Sequence, residues 1–369
     1  MTTAGVSVRA AVWDGDRLTV VDDLFVRAPG PGEVSVDIEV AGLCHSDLNP
    51  ILGLIEQDTP VVLGHEAVGV IAETGPGTTL RRGQRVVLSV LRNCGTCPSC
   101  RTGHRTRCRA TSVAPPSPFT RHGATVHQFV RTGAFAQRTV VAAEQAIPIE
   151  ENLPLPVAAM LGCATVTAFG AVEERARVQP GESVLVIGAG GVGLNVVLAC
   201  RAAGAARILV LDRNPLKEAV ARACGATDFA VTATADDVRQ VAAAVASEGF
   251  DAAFECVGHP DLLASAVESL AWGGRCVIVG VPAAGARVTF PVRALFHDKA
   301  LLGCRMGSVD PATALPRLAA RVAAGELVLD PLVSTVVPLT DAATLVADLK
   351  AGRLDRGFLD LRAPQESSA

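Results

Sequence analysis

The stretch from Glu182 to Asp212, "ESVLVIGAGGVGLNVVLACRAAGAARILVLD", constrains the fold more than any other part of the chain. An apolar run, "SVLVI", meets Gly188-Ala-Gly190-Gly191-Val192-Gly193; a span rich in Ala and Leu follows, and a second apolar run ends on Asp212. Apolar strands with little polar alternation belong to a parallel sheet covered on both faces. "FDAAFECVG" and "GGRCVIVGVP" continue the series, with helices expected at 235–247 and 261–270. That alternation predicts an α/β fold with a doubly wound parallel sheet of the Rossmann type. G-x-G-x-x-G alone is a weak signal, but between a strand and a helix, with an acid ending the next strand, it is a dinucleotide fingerprint. Gly188 permits the tight turn, Gly190 lets backbone approach a pyrophosphate, and Gly193 allows close helix–strand packing. The helix N-terminus offers free N–H groups to the anion. The Asp212 carboxylate should accept hydrogen bonds from a ribose and repel a 2′-phosphate, favouring NAD over NADP, although Arg213 directly after it softens that preference. The alternative is a glycine turn with no ligand.

Upstream the chain reads differently. "GEVSVDIEVAG" alternates Val34, Val36, Ile38 and Val40 in steps of two, as a half-buried strand does. "HEAVGVIAETGPG" closes on a turn, and "RRGQRVVLSVL" and "FAQRTVVAAEQAIPI" read as further strands. Residues 110–132, with Pro115, Pro116 and Pro118 close together, are expected to form a long irregular loop and are the one candidate for disorder. After about residue 305 a helix and a strand are expected, and there is no internal repeat.

Between these regions lies "RNCGTCPSCRTGHRTRC", with Cys94, Cys97, Cys100 and Cys108. Four thiolates at such spacing can surround one tetrahedral zinc, and a site with four protein ligands is closed to substrate. The competing readings are a redox pair or unligated cysteines. A redox pair belongs at the start of a helix, whereas Gly95, Pro98 and Gly103 interrupt helical pattern here.

The 369 residues suggest about two domains, and the net charge of −4 gives no electrostatic footprint for nucleic acid. Arginines interleaved with other residues in 101–109 read as a solvated face. No window of about 18 uncharged apolar residues stands out, so no membrane span is expected. The N-terminus lacks the pattern of a signal peptide. In a cytoplasmic protein the 11 cysteines should be thiols, metal ligands or catalytic groups rather than disulfides. Cys200, Cys224, Cys256, Cys276 and Cys304 are expected in the core, and His104, His122, His127 and His259 in loops or turns.

Three short segments supply further ligand types: "GLCHSDLN", "LGHEAVG" and "LGCATVTAFG". Each alone is weak, and spacing cannot show that they meet. Together with the quartet, the glycine fingerprint, Asp212 and "GRCVIVGVP", however, Cys44-His45-Ser46-Asp47, Gly64-His65-Glu66 and Gly162-Cys163 make nearly the whole chain resemble the zinc-dependent medium-chain alcohol dehydrogenases. The continuation "HQFVRTGAFAQRTVV" is similar to the liver-type and class III branch. The resemblance implies a mostly β, GroES-like catalytic domain over about 1–164 and 306–369, and an NAD-binding domain over 165–305. It implies two zinc ions per chain and NAD. Cys44, His65 and Cys163 would hold the catalytic zinc and Cys94, Cys97, Cys100 and Cys108 the structural one. Glu66 would lie behind the metal, Asp47 would orient His65, and Ser46 would take the alcohol proton. Coenzyme contacts would come from His45, Thr167, Gly188, Gly190, Gly191, Val192, Gly193, Asp212, Lys217, Val281 and Arg356. The implied reaction is reversible hydride transfer between NAD(H) and a small-molecule primary alcohol or aldehyde. The family also implies a homodimer or homotetramer, with "RVTFPV" near 287–292 as the pairing edge strand.

The sequence departs from the family at informative places. Asn49 stands where liver-type enzymes end their proton relay on histidine, so the proton is expected to leave Ser46 through the coenzyme ribose to ordered water. Ile55 and Gln57 stand where class III enzymes use acids to hold a thiol adduct, which favours an apolar or aromatic substrate. Leu48, Ile55, Val90, Phe135 and Val281 are the expected pocket walls. Arg305 is expected at solvent or a subunit contact; an anion-bearing substrate is the sharper alternative. The other functional readings are an S-hydroxymethyl-thiol (formaldehyde-adduct) dehydrogenase and a non-catalytic zinc- and dinucleotide-binding redox sensor.

Overall fold

The computed structural model describes residues 5–109, 115–149 and 152–362. They form two compact units. One comprises the described residues within 5–163, 310–326 and 333–362; the other comprises 164–309 and 327–332, so residues 306–309 and the short Leu327–Leu332 segment lie outside the catalytic lobe expected from sequence.

The first unit is built on two β-assemblies. The strands Gly5–Trp13, Leu18–Arg27, Phe119–Arg121, Ala124–Gln128 and Val61–Val62 close into a barrel. A seven-stranded sheet runs in the order Ala146–Pro148, Arg85–Leu88, Glu66–Thr74, Glu33–Leu43, Gly357–Asp360 and Thr335–Pro338, with Arg138–Ala142 pairing to Glu33–Leu43 off that path. In Glu33–Leu43 the buried Val34, Val36, Ile38 and Val40 alternate with partly exposed Asp37 and Glu39. Two register shifts against Glu66–Thr74 bend this pair, as bulges do. The last strands of the chain thus complete a sheet begun near its start. The expectation of an irregular 110–132 fails over its described part: Phe119–Arg121 and Ala124–Gln128 pair antiparallel within the barrel, with Phe119 and Val126 fully buried. The prolines precede this hairpin and do not enter it.

The second unit carries a six-stranded parallel sheet in the order Asp228–Val231, Arg207–Asp212, Ser183–Ile187, Phe250–Glu255, Leu270–Ile278 and Ala300–Gly303. This is the order of a doubly wound dinucleotide fold, with its switch point between Ser183–Ile187 and Phe250–Glu255. The helices Ala235–Val245 and Pro260–Glu268 occupy the places expected of them. Within the single chain residues 287–291 pair with no strand, and Ala300–Gly303 is the edge of the sheet on that side. Cys200, Cys224 and Cys276 are buried, whereas Cys256 and Cys304 are only partly so.

One long helix, Leu155–Ala176, contradicts the expectation that no apolar window would stand out. Its 18-residue window has mean hydropathy 1.8, long and apolar enough to cross a membrane by composition, yet 89% of that window is buried inside the protein. A buried core helix accounts for both facts. The helix widens into π-turns over Leu161–Thr165 and again over Gly170–Ala176.

Candidate active site

Cys44, His65 and Cys163 come together in the first unit. Cys44 precedes the short His45–Ile51 helix, His65 sits between the Gly64 turn and the Glu66–Thr74 strand, and Cys163 lies in the first π-turn. All three are buried, at 4%, 3% and 8% exposure. Their ligand atoms lie within 4.8 Å of one another.

Asp47, at 0% exposure, organises the cluster. One carboxylate oxygen accepts from the Gly64 N–H at 3.0 Å and lies 3.0 Å from His65 Nδ1; the other accepts from the Cys44 N–H at 3.0 Å. A neutral imidazole donating through Nδ1 keeps its Nε2 lone pair for a metal. Gly64 has φ of 85°, and a β-carbon there would fall 2.3 Å from the Phe135 ring. Phe135 is a fully buried residue beside this turn, and Leu48 belongs to the same core. Ile55 packs partly buried against the same core, Val90 is half-buried, and Val281, in the second unit, is 65% exposed.

Without metal the trio holds protons unevenly. A hydrogen bond from the Cys163 thiol draws Cys44 well below the ordinary thiol range, and the same bond together with burial pushes Cys163 well above it. Burial disfavours a charged His65, but Asp47 and the Cys44 thiolate outweigh it and raise the imidazole to about 10. A metal entering this set must displace the protons on Cys163 and His65. Two sulfurs and one nitrogen, buried and preorganised, fit zinc, and three ligands leave one position open.

Behind the trio, Glu66 pairs with Arg356, both buried. Arg356 thus meets the carboxylate behind the cluster, a partnership the sequence did not reveal. Ser46 Oγ is 3.2 Å from Cys44 Sγ. His45 is exposed and Asn49 half-buried.

Cys94, Cys97, Cys100 and Cys108 form a second cluster with the same 4.8 Å limit, and none is in a disulfide. Backbone N–H groups point at the sulfurs: Cys97 N–H to Cys94 Sγ at 3.3 Å and Cys94 N–H to Cys108 Sγ at 3.5 Å. The Cys97 amide, with Thr96, lowers the Cys94 thiol to about 6, while burial lifts Cys100 to about 12. Four sulfurs leave no open position, so this cluster fits a bracing metal. Arg105 anchors the lobe to Asp310 at 2.8 Å, at the start of the Pro311–Ala323 helix.

In the second unit Gly188 has φ of 97°, and a β-carbon on Gly193 would fall 1.8 Å from the Gly188 carbonyl oxygen. Gly190 faces open space instead, a cradle that a side chain would fill. Gly191, Val192 and Gly193 form the first turn of the Gly191–Ala202 helix. The Asp212 carboxylate accepts from Ala189 N–H at 2.7 Å and Asn214 N–H at 2.8 Å, which holds it beside the glycine turn. Lys217 and Thr167 are half-buried, and Thr167 Oγ1 lies 3.8 Å from Met306 Sδ. The fully buried Asn195 bonds the Gly191 carbonyl at 2.7 Å and accepts from the Thr165 hydroxyl at 2.9 Å. No sequence pattern singles out that pair.

Two family models match: an alcohol dehydrogenase GroES-like domain over residues 30–151 and a zinc-binding dehydrogenase over 191–323. The chain is 35% identical over 339 residues to an S-(hydroxymethyl)glutathione dehydrogenase of Synechocystis sp., covering 89% of this chain and 92% of the relative. Among solved structures it is similar to benzyl alcohol dehydrogenase of Acinetobacter calcoaceticus, with TM-score 0.88, 28% identity, and 97% and 100% of the two chains covered. Acetophenone reductase of Geotrichum candidum, solved in complex with NAD, superposes with TM-score 0.79 at 26% identity over 96% and 97% of the chains.

Proposed function

The chain belongs to the zinc-dependent medium-chain alcohol dehydrogenase family, and from that premise we propose that it catalyses reversible hydride transfer between NAD(H) and an apolar or aromatic primary alcohol or its aldehyde. The observation that carries this reading is the pairing of a buried three-ligand cluster with a closed four-cysteine cluster in one chain. Cys44, His65 and Cys163 hold the reactive zinc, and Cys94, Cys97, Cys100 and Cys108 hold the bracing one. A zinc in the open site supplies Lewis acidity toward the substrate oxygen, which makes an alcohol easier to deprotonate and a carbonyl more electrophilic.

The rest is done by side chains. Asp47 fixes the His65 tautomer through Nδ1. Ser46 Oγ, adjacent to Cys44, receives the alcohol proton and releases it to water, because the amide of Asn49 cannot accept it. Arg356 neutralises Glu66 and so limits the negative charge behind the ligands. Gly190 leaves room for a pyrophosphate at the helix N-terminus, and the Asp212 carboxylate favours a ribose bearing free hydroxyls, hence NAD over NADP.

A second reading, oxidation of an S-hydroxymethyl-thiol, is favoured by the name of the cyanobacterial relative. Ile55 and Gln57 argue against it, since neither supplies a negative charge for an adduct. The deciding experiment follows NADH formation on aliphatic and aromatic alcohols, and on formaldehyde with and without glutathione. Turnover of benzylic or medium-chain alcohols without thiol is expected. Turnover only with formaldehyde and thiol would replace the first reading with the second, and none with any of these would overturn both.

A further inference from the structure

The segment Phe129–Ala134 wraps the turn that delivers His65. The Phe129 ring stands edge-on to the His65 imidazole, with centroids 5.9 Å apart and planes at 67°. The Thr132 hydroxyl, fully buried, donates to the Gly64 carbonyl at 3.1 Å, sharing its hydrogen with the Phe129 carbonyl at 3.2 Å. The Ala134 N–H donates to the same Gly64 carbonyl at 2.9 Å. Thr132 is itself held, its carbonyl accepting from Thr139 Oγ1 at 2.6 Å and Gln128 Nε2 at 3.1 Å. Gln145 Nε2 donates to the Arg131 carbonyl at 3.3 Å.

The backbone of this segment is strained. Val130 and Arg131 have φ of 39° and 62°, and Gly133 follows at 54°, which glycine adopts freely. A β-branched residue is rarely found in the left-handed region, and such strain persists only where the surroundings over-determine it and often marks a functional site. Two of the segment's contacts, from the Thr132 hydroxyl and the Ala134 N–H, meet on the Gly64 carbonyl, one residue before His65, while Thr139, Gln128 and Gln145 hold the Thr132 and Arg131 carbonyls. Asp47 holds the imidazole and the Gly64 amide from the other side.

We infer that Phe129–Ala134 is a strap that fixes the His65 ring for metal binding, with Thr132 as its positioning residue. The inference deepens the reading of Cys44, His65 and Cys163 as a zinc site and rests on it. Hydrogen-bonded groups behind a ligand act on metal retention, whereas a residue serving stability alone would move every property together.

The test compares Thr132→Val, which removes the hydroxyl at nearly constant volume, with Thr132→Ser, which restores it. Zinc content and zinc release to a chromogenic chelator are measured on the full chain, with NADH binding followed by fluorescence. Thr132→Val should release one of its two zinc ions about 10-fold or more faster, and Thr132→Ser should stay within about twofold of the parent. The second zinc ion and NADH affinity should not change. Phe129→Leu provides an independent arm should Thr132→Val fail to fold, and the same single ion should leave faster. If the parent holds two zinc ions and neither Thr132→Val nor Phe129→Leu speeds release, or both ions and NADH affinity weaken in parallel, the strap is overturned alone. If the parent holds no zinc ion that is lost on Cys44→Ala, the reading of the trio as a metal site falls and the strap with it.

Discussion

Cys44 and Cys97 are both sulfur donors at the head of short helices, yet they should fail differently when changed. Cys44→Ala removes one of three ligands from a cluster with an open position. Turnover should fall about 1,000-fold or more, the scale of losing a principal electrostatic stabiliser, while NADH binding and the thermal transition stay close to the parent's. Cys97→Ala opens a closed cluster instead, and its first symptom should be a lower thermal midpoint. Asn49→His restores a proton acceptor beyond Ser46 and should raise turnover at low pH; an unaltered pH–rate profile would show that the relay ends elsewhere. Gly193→Ala drives a β-carbon to within 1.8 Å of the Gly188 carbonyl oxygen, so unfolding by denaturant should report a loss of about 1–3 kcal/mol, as overpacking does. At this scale the quartet and the glycine turn could be read locally, because their members are contiguous. Asp47, Arg356 and Thr132 could not be placed that way, since each has a defining partner (Gly64, Glu66 and Gly64 again) that lies 17 residues or more away in the chain.

At the scale of elements, the turn joining Leu18–Arg27 to Glu33–Leu43 is held by Arg27, bidentate to Glu33 at 2.6 and 3.0 Å, and by the Gly30 N–H at 2.9 Å. Burial would raise the Glu33 carboxyl, but these hydrogen bonds outweigh it and hold it below the ordinary value of 4.5. A depressed carboxylate stabilises the fold above its unfolded pKa, and that contribution disappears as pH falls through the folded value. Glu33→Gln should therefore cost up to about 1 kcal/mol near neutral pH, solvent exposure limiting the pair, and the difference should vanish on acidification. Denaturant midpoints at neutral and acidic pH check it. Strand periodicity made Glu33–Leu43 legible, and the coenzyme-unit helices followed from their position between apolar strands. The hairpin after the prolines was hidden because its strands, Phe119–Arg121 and Ala124–Gln128, are three and five residues long and owe their existence to barrel closure. The apolar window in Leu155–Ala176 was legible in the sequence, since residues 155–172 carry no charge, and the expectation of no such window overlooked it.

For the whole molecule the expectation is two zinc ions per chain with different lability. Prolonged chelation should first abolish turnover, with far-ultraviolet circular dichroism unchanged, and only later lower the thermal midpoint. Loss of both signals together would mean that the two clusters are not independent.

The four-cysteine lobe has a further consequence, in how the chain meets proteases. Between Arg92 and Cys108 it carries Arg92, Arg101, Arg105 and Arg107, four peptide bonds open to trypsin-like enzymes. Each lies within seven residues of a sulfur, and Arg101, Arg105 and Arg107 lie in a short helix and a single 3-10 turn that the metal would pin. Proteases need an extended segment, so the metal-loaded lobe should resist cleavage and the stripped lobe should be nicked. In a cell short of zinc the chain would then be open to cleavage at this lobe.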